Sequence, residues 1–287
     1  MSTLPLSADG TSERAPEPRP RFSDLIAAEW IKTRSLRSTY WVLALSALAA
    51  IAVNVNAVHN DLIYIDRALS LASGSTPVRY DPLGHGLNRI AADLMGLAAA
   101  SFGAITVFGE FATGMIRTTF SAVPDRRALI MAKVVLVTAI TLVLGVIVST
   151  GSFFTVNAML ASRHLGLSIH DPGCTLAVTA YALIAPVCAL MGMAFGAVLR
   201  HATASITATV GMLFLVPLLF GGDRYKLLKE IGDYLPLQAA GRLAVNPNVP
   251  LGMGKYPATI TGSWIALGAW ALASVIVAVT VVQRRDV

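Results

Sequence analysis

Six long apolar runs constrain this chain more than any other feature. They lie at about Tyr40–Val58, Ile90–Phe108, Ala128–Asn157, Thr175–Leu199, Thr203–Phe220 and Gly262–Val282. Each is close to the ~20 residues a helix needs to cross a bilayer. The runs are continuous and lack the period-2 alternation of barrel strands. Within lipid only helices and closed barrels satisfy the backbone, so the sequence predicts an all-α, polytopic membrane protein with six transmembrane helices. Charged residues make up only 13% of the chain and the mean hydropathy is +0.66. A soluble fold of that composition would expose more apolar surface than water tolerates. The third run is long enough to tilt or to extend past the lipid.

Lys and Arg set the expected orientation. If residues 1–39, 109–133, 200–202 and the tail after Gln283 share one side, that side holds 13 of the 22 basic residues. The bias is sharpest beside the first span and places both termini in the cytoplasm of a multi-pass plasma-membrane protein. The formal net charge of +6 then belongs to span-flanking cations. No basic stripe with interleaved aromatics points to nucleic acid.

Residues 1–21 are polar and rich in proline and read as a disordered cytoplasmic tail, with no apolar core of a cleaved signal. Residues 22–287 read as the membrane domain. At its start Phe22, Leu25, Ile26 and Trp30 recur at helical spacing among Glu29, Lys32, Arg34 and Arg37. A short helix with Trp and flanking cations suits the membrane interface. Between the fifth and sixth runs, Tyr225–Leu235 reads as an amphipathic outer helix stopped by Pro236, either a lid or re-entrant element or a surface-lying structural helix.

Catalytic signatures are missing. There is no G-x-x-x-x-G-K-[ST] loop for ATP, no H-E-x-x-H zinc helix and no G-x-S-x-G elbow. Cys174 and Cys188 lie fourteen residues apart, about 21 Å along one helix, too far for a mutual disulfide. They read as small packing residues. His59, His85, His164 and His170 fall in expected outer loops near acidic residues, and their spacing demands no metal. Asp93 sits just inside the second span, one turn after Arg89. It reads as a pathway contact or as an i, i+4 pair with Arg89 at the interface. Gly192 and Gly196, four apart, invite close approach of another helix, while Pro186 and Pro217 interrupt the fourth and fifth runs.

The segment joining the second and third runs carries the sharpest pattern. Gly109-Glu110 ends a run. A short helix-like stretch through Gly114, Met115 and Arg117 follows, then Pro124-Asp125-Arg126-Arg127 and, further on, Lys133. This reads as a helix along the cytoplasmic face, with the charges of Glu110, Arg117, Asp125, Arg126 and Arg127 available to a soluble partner. With Glu110, Gly114, Arg117, Pro124, Arg126 and Lys133 in that order, the chain resembles the permease subunits of type-2 ATP-binding-cassette exporters, most closely actinobacterial ones. Ala28-Glu29-Trp30-Ile31-Lys32-Thr33-Arg34-Ser35 resembles the interface helix of that family, and the similarity runs from about Phe22 to the C-terminus. The resemblance implies a cytoplasmic coupling helix between spans two and three and a second permease subunit completing a homodimer or heterodimer. It also implies a separate nucleotide-binding ATPase subunit that binds ATP and Mg²⁺, none being bound by this chain. The chain itself is then no enzyme. The alternatives are a non-transporting assembly, immunity or sensor subunit, or a membrane-embedded enzyme.

Overall fold

The computed structural model describes residues 21–71, 80–114, 125–163, 165–220, 225–245 and 258–284. The expected tail before Arg21 lies outside them, as does the segment 115–124. Every regular element among the described residues is a helix. A short N-terminal helix α1 (Phe22–Ser35) turns at Leu36, whose backbone leaves the helical region, into α2 (Arg37–Leu71). Then follow α3 (Pro82–Gly86), α4 (Arg89–Ala112), α5 (Arg126–Ala161) and α6 (Cys174–Leu199). Helix α7 (Ala202–Phe220), α8 (Lys226–Asp233), α9 (Pro236–Leu243) and α10 (Ile260–Arg284) complete the chain. Helices α2, α4, α5, α6, α7 and α10 are long and apolar enough to cross a membrane. They are the six expected spans, and the protein is a multi-pass membrane protein in form.

The central rod is α6. Within its most apolar stretch 78% of the residues are buried, against 22% for α2 and α7 and 28% for α10. Its composition explains this position, because small residues let neighbouring backbones come close. A Cβ on Gly192 would stand 1.9 Å from the carbonyl oxygen of Ala100, and one on Gly103 would stand 1.9 Å from that of Ala189. Helix α5 meets α6 the same way at Gly145 and Ala182. The expected approach at Gly192 and Gly196 is therefore met by Ala100 and Ala104 of α4. Cys174 and Cys188 are free and buried on α6.

Two elements differ from the sequence reading, and a third gives it a geometry. Helix α2 runs on to Leu71, so His59 and Asp61, expected in a loop, stand on a helix that outlasts the hydrocarbon. At 35 residues it is about 52 Å long, well beyond a ~30 Å hydrocarbon core. Its far end is tied to that of α5 by Arg163 and Asp66 at 2.7 Å. Helix α7 is interrupted beside Pro217, as the sequence predicts. One π turn spans Gly211–Leu215 just before Pro217, whose ring excludes the carbonyl four residues back and removes one donor. Finally, Pro236 does more than stop a helix. It opens α9 at a first-turn position that needs no N–H. Helix α9 buries Leu237, Ala239, Ala240 and Leu243 against α6 and α10. The amphipathic helix α8 stays exposed at Leu227 and Ile231.

Candidate functional site

Four charges converge where α1, α4 and α5 meet. Helix α1 buries Leu25, Glu29 and Thr33, residues four apart and so on one face. Phe22 and Trp30, the apolar residues that suggest an interface helix, are turned outward at 44% and 42% exposure. The polar residue Glu29 thus faces the bundle and the aromatics face its surroundings. Helix α4 ends just after Glu110. Thr113 donates its hydroxyl to the Gly109 carbonyl, and Gly114 takes φ +70, the left-handed conformation that commonly follows a helix end. Helix α5 starts on Asp125, whose carboxylate accepts from the Arg127 and Ala128 amides. Two turns later it presents Lys133 back toward α1 and α4.

The resulting contacts close a ring of alternating sign. Lys133 Nζ donates to Glu29 Oε2 at 2.5 Å and to Glu110 Oε1 at 2.7 Å. Lys32 Nζ donates to Glu29 Oε1 at 3.0 Å and to Glu110 Oε1. Glu29 (4% exposed), Glu110 (7%) and Lys133 (2%) are buried, and the Lys32 side chain is 31% exposed. Formal charge sums to zero around the ring. A buried pair gains little over an apolar replacement, but stripping one partner from it costs ~3–5 kcal/mol. Burial pulls the Lys32 ammonium toward the neutral form, yet its bonds to Glu110 and Glu29 outweigh this and hold its pKa above the ordinary 10.5. Its stabilising contribution is accordingly present below 10.5 and is lost only as pH rises through the raised folded-state value.

Beside the ring lies a cavity of about 330 Å³ between α1, the first turn of α2 and the end of α4. Leu36, Phe102 and Ile105 form apolar wall, and the ring itself with the hydroxyls of Thr33, Ser35, Thr39, Thr106 and Thr113 forms polar wall.

The other expected site residues separate into two groups. Arg34 is exposed on α1, and Asp125, Arg126 and Arg127 sit at the start of α5 near the same end of the bundle. Met115, Arg117 and Pro124 lie outside the described residues. Glu110 is not available to a soluble partner as the sequence suggests, because its carboxylate is bonded to both lysines. Arg89 and Asp93 stand at the opposite end. They form the i, i+4 pair at 3.3 Å, and Arg89 also donates to Gln238 of α9. The pair thus braces α9 against α4.

Sequence reasoning leaves a second polar cluster unmarked. At the end of the bundle opposite α1, the fully buried Asn54 of α2 donates to Ser152 Oγ of α5 at 2.8 Å. It also donates to Tyr181 Oη of α6 at 3.4 Å and accepts from the Asn88 amide at 2.9 Å. Tyr181 in turn donates to the Asn88 carbonyl at 3.1 Å, and the Asn88 side chain caps α4. One uncharged knot ties four helices. The signal available in the sequence is an Asn inside an otherwise apolar run, since an unpaired amide there is costly.

His85 of α3 bonds Asp61 at 2.7 Å and stacks near Tyr80. Burial first, then Asp61, push the Tyr80 phenol above its ordinary range. No group of three or more His, Cys, Asp or Glu side chains comes together among the described residues. The four-charge ring contains two ammonium groups and two carboxylates bonded to one another, which fastens α1 to α4 and α5. No family model matches the chain, and no curated protein matches it.

Proposed function

We propose that this chain is the transmembrane subunit of an ATP-binding-cassette exporter in the plasma membrane, forming the translocation pathway and driven by a separate cytoplasmic ATPase subunit. The observation that carries the reading is the ring of Glu29, Lys32, Glu110 and Lys133. It bonds the N-terminal helix to both spans that flank the 115–124 segment. A push on that segment, from a cytosolic subunit, would reach α1, α4 and α5 together. In this reading ATP and Mg²⁺ sit on the partner. Glu110 acts as a joint between elements, while the charged groups that meet the partner are Arg117, Asp125, Arg126 and Arg127 around Gly114 and Met115. The thinly covered α2, α7 and α10 fit lipid together with a second permease subunit.

Coupling requires the ATPase to bind one state of the bundle better than another, typically by ~1–3 kcal/mol, a factor of ~5–150. Glu110→Gln keeps the shape of the side chain and removes its charge. The expected outcome, in vesicles holding the chain with its co-purified ATPase, is transport lowered within that range while ATP hydrolysis persists. Unchanged transport per ATP would remove Glu110 from the coupling path. A purified chain that transports alone, with no ATPase bound, would overturn the whole reading.

A further inference from the structure

The cavity beside the ring has the lining of an amphiphile site. Its volume of about 330 Å³ lies at the small end of the ~300–1,000 Å³ usual for small-molecule sites. Two of its apolar lining residues, Leu36 and Ile105, are 44% and 41% exposed. Its polar half has an unusual donor balance. Ser35, Thr106 and Thr113 each spend their hydroxyl proton on a backbone carbonyl, of Lys32, Gly103 and Gly109 respectively. They therefore offer only acceptor lone pairs to an occupant. Lys32 uses two of its three protons on Glu29 and Glu110, leaving one N–H for an anionic oxygen. Thr33 and Thr39 also line the cavity, and their hydroxyls can donate beside Lys32. A matching ligand brings a cationic donor for the three spent hydroxyls, an anionic acceptor for Lys32 and these two, and an apolar body.

Gly109 supplies an independent observation. It lines the cavity, and a Cβ added to it meets nothing within 4 Å among the described residues. Gly103, Gly145 and Gly192 are needed for close helix approach, but Gly109 is not. A glycine weakens a helix relative to alanine, and here its missing side chain leaves open space on the cavity wall.

We infer that this cavity binds one glycerophospholipid with a phosphate and a primary ammonium in its head group, drawn from the leaflet on the α1 side. The phosphate meets Lys32, the ammonium meets the hydroxyl oxygens of Thr106 and Thr113, and an acyl chain lies along Phe102 and Ile105. The lipid is held against the joint between α1 and α4, so it stiffens that joint. The inference needs only this chain and its membrane, so it stands or falls apart from the exporter reading.

The test uses the full chain in detergent, with thermal unfolding followed as synthetic phosphatidylethanolamine, phosphatidylcholine or phosphatidylglycerol is added, and native mass spectrometry to count retained lipid. A ligand of the folded state raises the midpoint by an amount that grows with the logarithm of its concentration over Kd. Phosphatidylethanolamine is expected to act at concentrations about tenfold lower than the other two and to remain bound as a single copy. Gly109→Leu is expected to abolish both effects, and Gly109→Ala to keep them. Equal action of the three lipids overturns the inference, as does an unaltered response in Gly109→Leu. The ranking of head groups on the wild-type chain decides the matter even where the leucine variant fails to fold.

Discussion

The two ends of the bundle are fastened by opposite chemistry. Near α1, four formal charges alternate around a ring that joins α1, α4 and α5. At the other end, neutral groups of Asn54, Ser152, Tyr181 and Asn88 tie α2, α4, α5 and α6. A neutral knot depends on geometry alone and is indifferent to salt and to ordinary pH. A charged ring is also a balance of opposing large terms, desolvation against attraction, so it responds to any change in the field around it. The α1 end is thus suited to transmit a perturbation, and the other end to resist one.

The sharpest way to break this contrast is Lys133→Met. It leaves Glu29 and Glu110 buried with only Lys32 between them, and the expected loss is ~3–5 kcal/mol, read as a lower unfolding midpoint or lower yield in detergent. A variant as stable as the wild type would show that the ring is not a fastening. Asn54→Leu comes next. It strands the Asn88 amide and the Ser152 hydroxyl, at ~1–3 kcal/mol, and the loss should be the same at low and high salt. Salt dependence in that variant would undo the distinction between the two ends.

Alkaline titration sharpens the comparison further. With its pKa raised, Lys32 keeps the ring closed through neutral pH and past 10.5, and opening is expected only above that value. Lys32→Met should lose this alkaline step in an unfolding profile, while Asn54→Leu should retain it. The smallest effect belongs to Arg89 and Asp93. Asp93→Asn removes a partly exposed i, i+4 pair worth ~0.3–0.5 kcal/mol. A loss several times larger in transport than in stability would instead place Asp93 on a pathway.

The spans were legible because their signal is local. Twenty apolar residues in a row need no partner to be recognised, and Arg89 and Asp93 declare their pairing by spacing. Lys133 was legible only as a member of a motif, although a lysine two turns inside an apolar run already calls for a counter-ion. Asn54 carried the same kind of signal in weaker form. The buried face of α1 was not legible, since the apolar residues Phe22 and Trp30 mark the face that looks outward. Pro236 misleads for a related reason. The same ring that ends one helix is well tolerated at the start of the next, and only the burial of Leu237 and Ala240 distinguishes the two roles.

The sequence by itself determined that this protein crosses a membrane six times, because spanning depends on the length and apolarity of each run and on nothing distant. Only the tertiary structure decided which charges neutralise one another. Glu29 and Lys133 are 104 positions apart and Asn54 and Tyr181 are 127 apart. A buried polar group must find a partner, but which one it finds is settled when the helices dock.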